Sequence, residues 1–449
     1  MFVQAGSFGA SLDPPRDRGS RGGGSLGDID GPQHDEGKRT RADVRQVNRT
    51  PPRHKQEGAG AQQAAMLHLK ELAVHLLLAW CTWMRASASS SRNESAFETS
   101  DGMMARAPRD FVVVANSNTF AINGRRFVPV GTNQYYMLTR AASSAVRYQA
   151  VEVLDGMEDL GLNTLRMWAF NDGANQWKAL QTSPGQYSEE VFQGMDWNVA
   201  EAGRRGIKLI LVFVNYWPEY GGMQQYVNWS PTANRLEDFY TDENCRRYYR
   251  DFVSAVVNRV NTITGVPYKD DPAIMAWQLA NEARNERDPS GDTMVAWVDE
   301  MSSFIRNMDP NHLIATGSEG FFGPGEYSSL NPTSFFERTG VVTERQHALP
   351  NVDFITAHMW ADQWLPQGSN LDQFARQWIN SQVRLANDLE KPLVLEEFGR
   401  SPDGSTRVRF YDAVYSTFIA AISEGEPAAG VLFWHLAAND YPDYGESRS

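Results

Sequence analysis

Ala273-Ile-Met-Ala-Trp-Gln-Leu-Ala280 is a short apolar run that follows Asp271-Pro272 and stops at a polar pair, Asn281-Glu282. Its length and its proline-bounded start read as a β-strand. The next stretch, 292–308, carries the spacing of an amphipathic helix, and another short apolar run follows at 313–317. The same alternation extends in both directions. Strand candidates lie at 127–132, 163–168, 207–214, 273–280, 313–317, 353–358, 392–397 and 430–434, and amphipathic stretches at 146–160, 189–205, 243–263, 292–308 and 371–389 fall between most of them. Eight strands alternating with helices predict an α/β fold, the (β/α)8 TIM barrel. A doubly wound sheet is the rival, but no glycine-rich dinucleotide turn follows the first strand, and Gly323-Pro-Gly325 has Ser328 where a third glycine belongs. Ahead of the barrel, Phe111-Val-Val-Val114 and Phe120-Ala-Ile122 lead into Asn123-Gly124, a strong hairpin signal. Fifteen residues remain after the eighth strand, so the closing helix is expected to be missing.

Residues 1–65 show no apolar period and read as disordered or as an artefact of gene prediction. The apolar run Leu72–Met84 is too short to span a bilayer, and Ala86 and Ala88 follow it like a cleavage site. We therefore read 66–90 as a signal-peptide-like segment with translation starting at Met66, 91–109 as a linker, and 110–449 as the catalytic domain of a secreted, extracellular protein. Asn93-Glu-Ser and Asn228-Trp-Ser match the N-glycosylation pattern. Only two cysteines, Cys81 and Cys245, are present, so no disulfide framework exists. The net charge is −13, and ten Lys/Arg against eight Asp/Glu in 1–65 leave the acid excess on the remainder. An acidic body without a basic stripe argues against nucleic acid and suits a neutral polysaccharide. The expected state is a monomer with no stable membrane insertion.

In a barrel of this kind the reacting groups sit where strands end and loops begin. The strand ends offer Arg166 and Trp168 on the second, Asn281 and Glu282 on the fourth, His358 and Trp360 on the sixth, Glu396 and Glu397 on the seventh and Trp434 on the eighth. Two carboxylates 115 residues apart thus converge on one mouth among aromatic side chains. Cleaving a glycosidic bond needs one carboxylic acid to protonate the leaving oxygen and one carboxylate to attack or stabilise the anomeric carbon. Arg166 can hold the ionised carboxylate, Asn281 can bond a sugar 2-hydroxyl, and indole faces match pyranose faces. Taken singly, a strand-end Glu is ordinarily a solvated or paired surface group and a strand-end Trp ordinarily packing; the weight lies in their coincidence. Metal chemistry has no support in the spacing, because His312, His347, His358 and His435 are scattered. No cofactor motif, Gly-x-Ser-x-Gly elbow or phosphate loop is present.

Leu165-Arg-Met-Trp168-Ala-Phe-Asn-Asp-Gly173, Tyr226-Val-Asn-Trp229, Trp277-Gln-Leu-Ala-Asn-Glu282 and Leu395-Glu-Glu-Phe-Gly399 resemble glycoside hydrolase family 5, most closely its plant-type endo-β-1,4-mannanases, over about 110 to 440. The resemblance implies retaining, double-displacement hydrolysis of β-1,4 bonds in mannan, galactomannan or glucomannan. It makes Glu282 the acid/base and Glu397 the nucleophile, with Arg166, Trp168, Asn281, His358, Trp360 and Trp434 lining the cleft. A retaining pair places its carboxyl groups about 5–5.5 Å apart. Strand alternation turns Glu396 away from the site. Two departures stand out. The family usually has Tyr two residues after the sixth-strand His, where Trp360 stands here, and Gln after the eighth-strand Trp, where His435 stands. The expected consequence is that Trp360 donates its indole N–H to Glu397 or stacks on the sugar. The alternatives are an endo-β-1,4-glucanase on the same barrel and a catalytically impaired carbohydrate-binding homologue.

Overall fold

The computed structural model describes residues 110–441 apart from Ser117 and residues 401–403. The expectations for 1–109, with Cys81 and the Asn93 sequon, fall outside the described residues. Eight parallel strands form the barrel: β1 Val130–Asn133, β2 Thr164–Trp168, β3 Lys208–Val212, β4 Ile274–Gln278, β5 Leu313–Ala315, β6 Ile355–Met359, β7 Leu393–Phe398 and β8 Ala428–Phe433. The sheet runs β5-β4-β3-β2-β1-β8-β7-β6. At the seam between β5 and β6, the Asp353 N–H donates to the Ile314 carbonyl at 2.9 Å and the His358 N–H to the Glu319 carbonyl at 3.0 Å. The barrel is thereby nearly closed.

The intervening helices are α1 Arg147–Leu160, α2 Glu189–Arg205, α3 Glu243–Val257, α4 Asp292–Met308, the single turn α5 Thr343–Gln346, α6 Leu371–Leu389 and α7 Gly404–Ser423. Strand alternation sorts the two cores. Leu165, Leu209 and Leu211 face outward onto Val153, Met157, Met195 and Val199 of the helices. Ile210, Met275, Val394 and Leu432 face inward and pack with Val112 and Phe120 of the antiparallel strands that precede the barrel. Asn123 and Gly124, with φ of 52° and 73°, form the left-handed two-residue turn that the hairpin requires.

Two expected boundaries move. The first strand, expected at 127–132, divides into Arg125–Phe127 of the hairpin sheet and β1, with Pro129, which has no N–H to donate, between them. The helix expected over 243–263 ends at Val257, because the Asn261 side chain accepts from the N–H groups of Ile263 and Thr264 and folds that stretch into a turn. Among the described residues no helix follows β8. Ala438 and Tyr441 are buried there instead, the Ala438 N–H donating to the Tyr136 hydroxyl at 2.8 Å and Tyr441 stacking on Tyr136. No described helix is long and apolar enough to cross a membrane.

Candidate active site

Arg166 is the hub of the barrel mouth. It stands on the inward face of β2 and is 1% exposed, so each guanidinium N–H needs a partner. Its Nε donates to Gln278 at 2.7 Å, Nη1 to Asn133 at 3.0 Å and to the Glu397 carboxylate, and Nη2 to Asn281 at 2.7 Å. Four strands are tied together through one side chain. Asn281 in turn donates to Asn215 at 3.0 Å, which fixes the orientation of its amide.

Glu282 follows Asn281 with φ of 54°, a left-handed backbone that a residue with a side chain adopts only when its surroundings impose it. The Asn281 N–H donates to the Val214 carbonyl and the Glu282 N–H to that of Gly317, so the neighbours on both sides hold the turn. Gly317 must lack a side chain, since a Cβ there would lie 1.9 Å from the Ala280 carbonyl oxygen. The Glu282 carboxylate bonds His358 Nδ1 at 2.7 Å through Oε1 and accepts from the Trp217 indole N–H at 2.6 Å through Oε2. One oxygen each of Glu282 and Glu397 and a ring nitrogen of His358 lie within 4.8 Å of one another. The two carboxylates thus meet at one point of the barrel mouth, with His358 between them. The trio has the donor types of a cation site, but Arg166 on Glu397 already supplies positive charge and the other two are bonded to each other.

Burial opposes a charge on His358, yet Glu397 together with Glu282 and Glu396 pushes its pKa up to about 10. Burial also raises Glu282, but the His358 and Trp217 donors outweigh it and hold this carboxyl below the usual range. Burial lifts Glu397, and His358 and Arg166 offset only part of the rise. Two carboxylates this close titrate as a coupled pair.

The family profile described as "GH family 5 beta-mannosidase-like" matches residues 109–445. The chain belongs to glycoside hydrolase family 5. It is 41% identical over 346 residues to mannan endo-1,4-beta-mannosidase 5 of Solanum lycopersicum, covering 74% of this chain and 82% of that one. It is 40% identical over 328 residues to mannan endo-1,4-beta-mannosidase 8 of Oryza sativa subsp. japonica, covering 70% and 88%. Among solved structures, the endo-1,4-beta-D-mannanase of Thermotoga petrophila RKU-1 superposes with a TM-score of 0.64 at 35% identity, over 72% of this chain and 93% of that one.

Within this family 5 site, the residues expected from strand ends do come together, with two corrections. Glu396 does not turn away. The β6–β7 register slips between Ala357 and His358, so that Ala357 pairs with Leu395 but His358 with Glu397. The unpaired extra residue breaks the alternation. Glu396 therefore also lies inside the barrel, fully buried, accepting from Gln278 at 2.7 and 2.6 Å. The second correction concerns Trp360. Its indole makes no hydrogen bond to Glu397. It stands edge-on to Trp434, with centroids 6.1 Å apart, and lies close enough to Gly399 that a Cβ there would come within 2.9 Å of its ring. Trp434 stacks on Tyr135, and Tyr135 lies 5.5 Å from Trp168, so the three tryptophans share one aromatic wall. His435 is buried beside Tyr135.

Strand-end reading overlooked the third strand. Asn215 and Trp217 just beyond it reach Asn281 and Glu282. A strand expected at 207–214 was signal enough to look there. It also overlooked Arg284, whose guanidinium lies 5.2 Å over the Trp217 ring and bonds Glu319 at 2.7 and 2.6 Å. Nothing in the sequence distinguishes that buried pair from surface charge.

Proposed function

We propose that the chain hydrolyses internal β-1,4-mannosidic bonds of mannan, galactomannan or glucomannan with retention of configuration. The observation that carries this is the pair of buried carboxylates from β4 and β7, one clasped by Arg166 and the other by His358 and Trp217, in a family 5 barrel.

Glu397 is the nucleophile. Its carboxylate attacks the anomeric carbon while the bond to the leaving oxygen breaks, and Glu282 delivers its proton to that oxygen. The anomeric carbon gains positive charge in the transition state. That charge favours the ionised form of Glu397, and the leaving oxygen gives the Glu282 proton its destination. In the second half, ionised Glu282 takes a proton from water, which displaces Glu397 from the sugar. In this reading Asn281 bonds the sugar 2-hydroxyl, and Trp168, Trp360 and Trp434 supply the apolar wall for sugar rings.

The test is incubation of residues 90–449 with galactomannan, glucomannan and carboxymethylcellulose, scored by reducing ends, with proton NMR of the first product anomer. Reducing ends from both mannans with initial retention are expected. Release from carboxymethylcellulose alone identifies a glucanase, and binding without release identifies an impaired homologue. The reading of 66–90 as a secretion signal rests on its apolar run and the small residues after it. It predicts an extracellular protein beginning near 87–92, and recovery of peptides from 1–65 in that protein overturns it.

A further inference from the structure

The site holds one more buried carboxylate than a two-carboxylate mechanism uses. Glu396 is fully buried on β7, and its Oε2 lies 3.7 Å from Arg166 Nε and 3.9 Å from His358 Nε2. That ring nitrogen is buried and has no hydrogen-bond partner, while Nδ1 on the other side of the ring bonds Glu282. His358 is thus held between two carboxylates, one facing the cleft and one beneath it.

The groups facing His358 can be set out by element. Glu282 comes from the end of β4, and Glu396 and Glu397 from β7. Arg166 of β2 stands behind the last two. Beyond β5, the Glu319 carbonyl accepts from the His358 N–H, and its carboxylate is taken up by Arg284. From α6, the Trp378 indole donates to the His358 carbonyl at 2.8 Å. When Glu282 carries its proton and Glu397 is ionised, the charges left are Arg166 and His358 against Glu397 and Glu396. They cancel only if Glu396 is ionised. Without it, a protonated His358 leaves an uncompensated buried cation, which the interior disfavours strongly.

We propose that Glu396 is a positioning residue of the hydrolytic site, a third carboxylate that keeps His358 positively charged and so sets the pH at which the His358–Glu282 pair gives up its proton. It touches neither the sugar nor the reacting atoms and acts through His358. Gln278 holds it for this task by donating to both of its oxygens. The inference rests on the proposed hydrolysis for its kinetic consequence, but the charge on His358 can be read without turnover.

The experiment compares the parent, Glu396→Gln and Glu396→Asp by histidine ¹⁵N NMR against pH, with His358 assigned by its loss in His358→Asn. The pH dependence of kcat/KM on a mannan oligosaccharide is measured alongside. In the parent His358 should remain an imidazolium at pH 8. In Glu396→Gln it should lose its proton about one to three pH units lower, the usual effect of one close opposite charge. A neutral His358 no longer holds the Glu282 carboxyl down, so the alkaline limb of the activity profile should move up. Glu396→Asp keeps the charge and should restore most of both. Identical His358 titrations in the parent and a folded Glu396→Gln overturn the proposal. Where that variant does not fold, a neutral His358 at pH 8 in the parent overturns it equally. A parent that leaves mannan intact refutes the proposed hydrolysis, while the NMR titration still decides the role of Glu396.

Discussion

Replacing Trp217 with Phe removes one hydrogen atom's worth of electrostatics from the acid/base and leaves most of the surrounding packing. The lost contact is the 2.6 Å bond from the indole N–H to Glu282 Oε2. The aromatic face under the Arg284 guanidinium survives the change. A hydrogen bond to a charged group contributes about 1.5–3 kcal/mol, and one pKa unit corresponds to about 1.4 kcal/mol. Water reaches the partly exposed Trp217 position and replaces part of the lost bond, so a rise of about one unit is expected, at the low end of that range. The direction follows from which form loses its donor. The indole stabilises ionised Glu282, so its removal raises the Glu282 pKa. Glu282 must be protonated when the leaving group departs, and activity falls as pH rises through that pKa. The alkaline limb of kcat/KM should therefore move up by about one pH unit. The assay is initial-rate hydrolysis of mannohexaose by parent and variant from pH 4 to 10, with circular dichroism to establish that the variant is folded. An alkaline limb that stays in place or moves down in a folded Trp217→Phe refutes the assignment of Trp217 as the donor that tunes Glu282.

Because Trp360 contacts Trp434 and Gly399 and not Glu397, Trp360→Ala should raise KM for mannan oligosaccharides about two- to tenfold, the value of one aromatic contact, and leave the acidic limb of the pH profile unmoved. A shifted acidic limb would restore the indole as a partner of the nucleophile. Gly131→Ala should destabilise the fold by about 3 kcal/mol or more in urea unfolding, because its Cβ would lie 1.7 Å from the Thr164 carbonyl oxygen on the neighbouring strand and backbone cannot yield as a side chain does. His347 is buried as the neutral ring, donating from Nδ1 to the Thr343 carbonyl and accepting the Thr356 N–H at Nε2, and burial pushes its pKa down to about 3. A depressed histidine contributes stability that is present above its unfolded pKa of about 6.5 and lost as pH falls toward 3. His347→Gln should accordingly weaken the loss of stability between those values, seen as a flatter plot of denaturant midpoint against pH.

The sequence by itself determined the barrel and which side chains stand at its mouth. Short apolar runs such as 273–280 and 392–397 leave a chain few ways to bury them except as parallel strands under helices, and three of the five expected helices, 189–205, 292–308 and 371–389, have the observed ends. Once the strands are located, the mouth of a barrel collects whatever stands at their C-terminal ends, so Arg166, Asn281, Glu282, His358 and Glu397 could be named without coordinates. What the sequence did not determine is which way adjacent residues face when the alternation is broken. Glu396 and Glu397 are neighbours of identical chemistry, and a one-residue slip against β6 brings both inside. That slip depends on pairing between strands, a long-range interaction that no local pattern records. The same holds for Trp217. It lies 65 residues from Glu282 along the chain, and its bond to that carboxylate exists only because β3 and β4 stand side by side. Local preferences select elements, whereas the partner of a buried polar group is selected by the packing of the whole barrel, which must satisfy every such group at once.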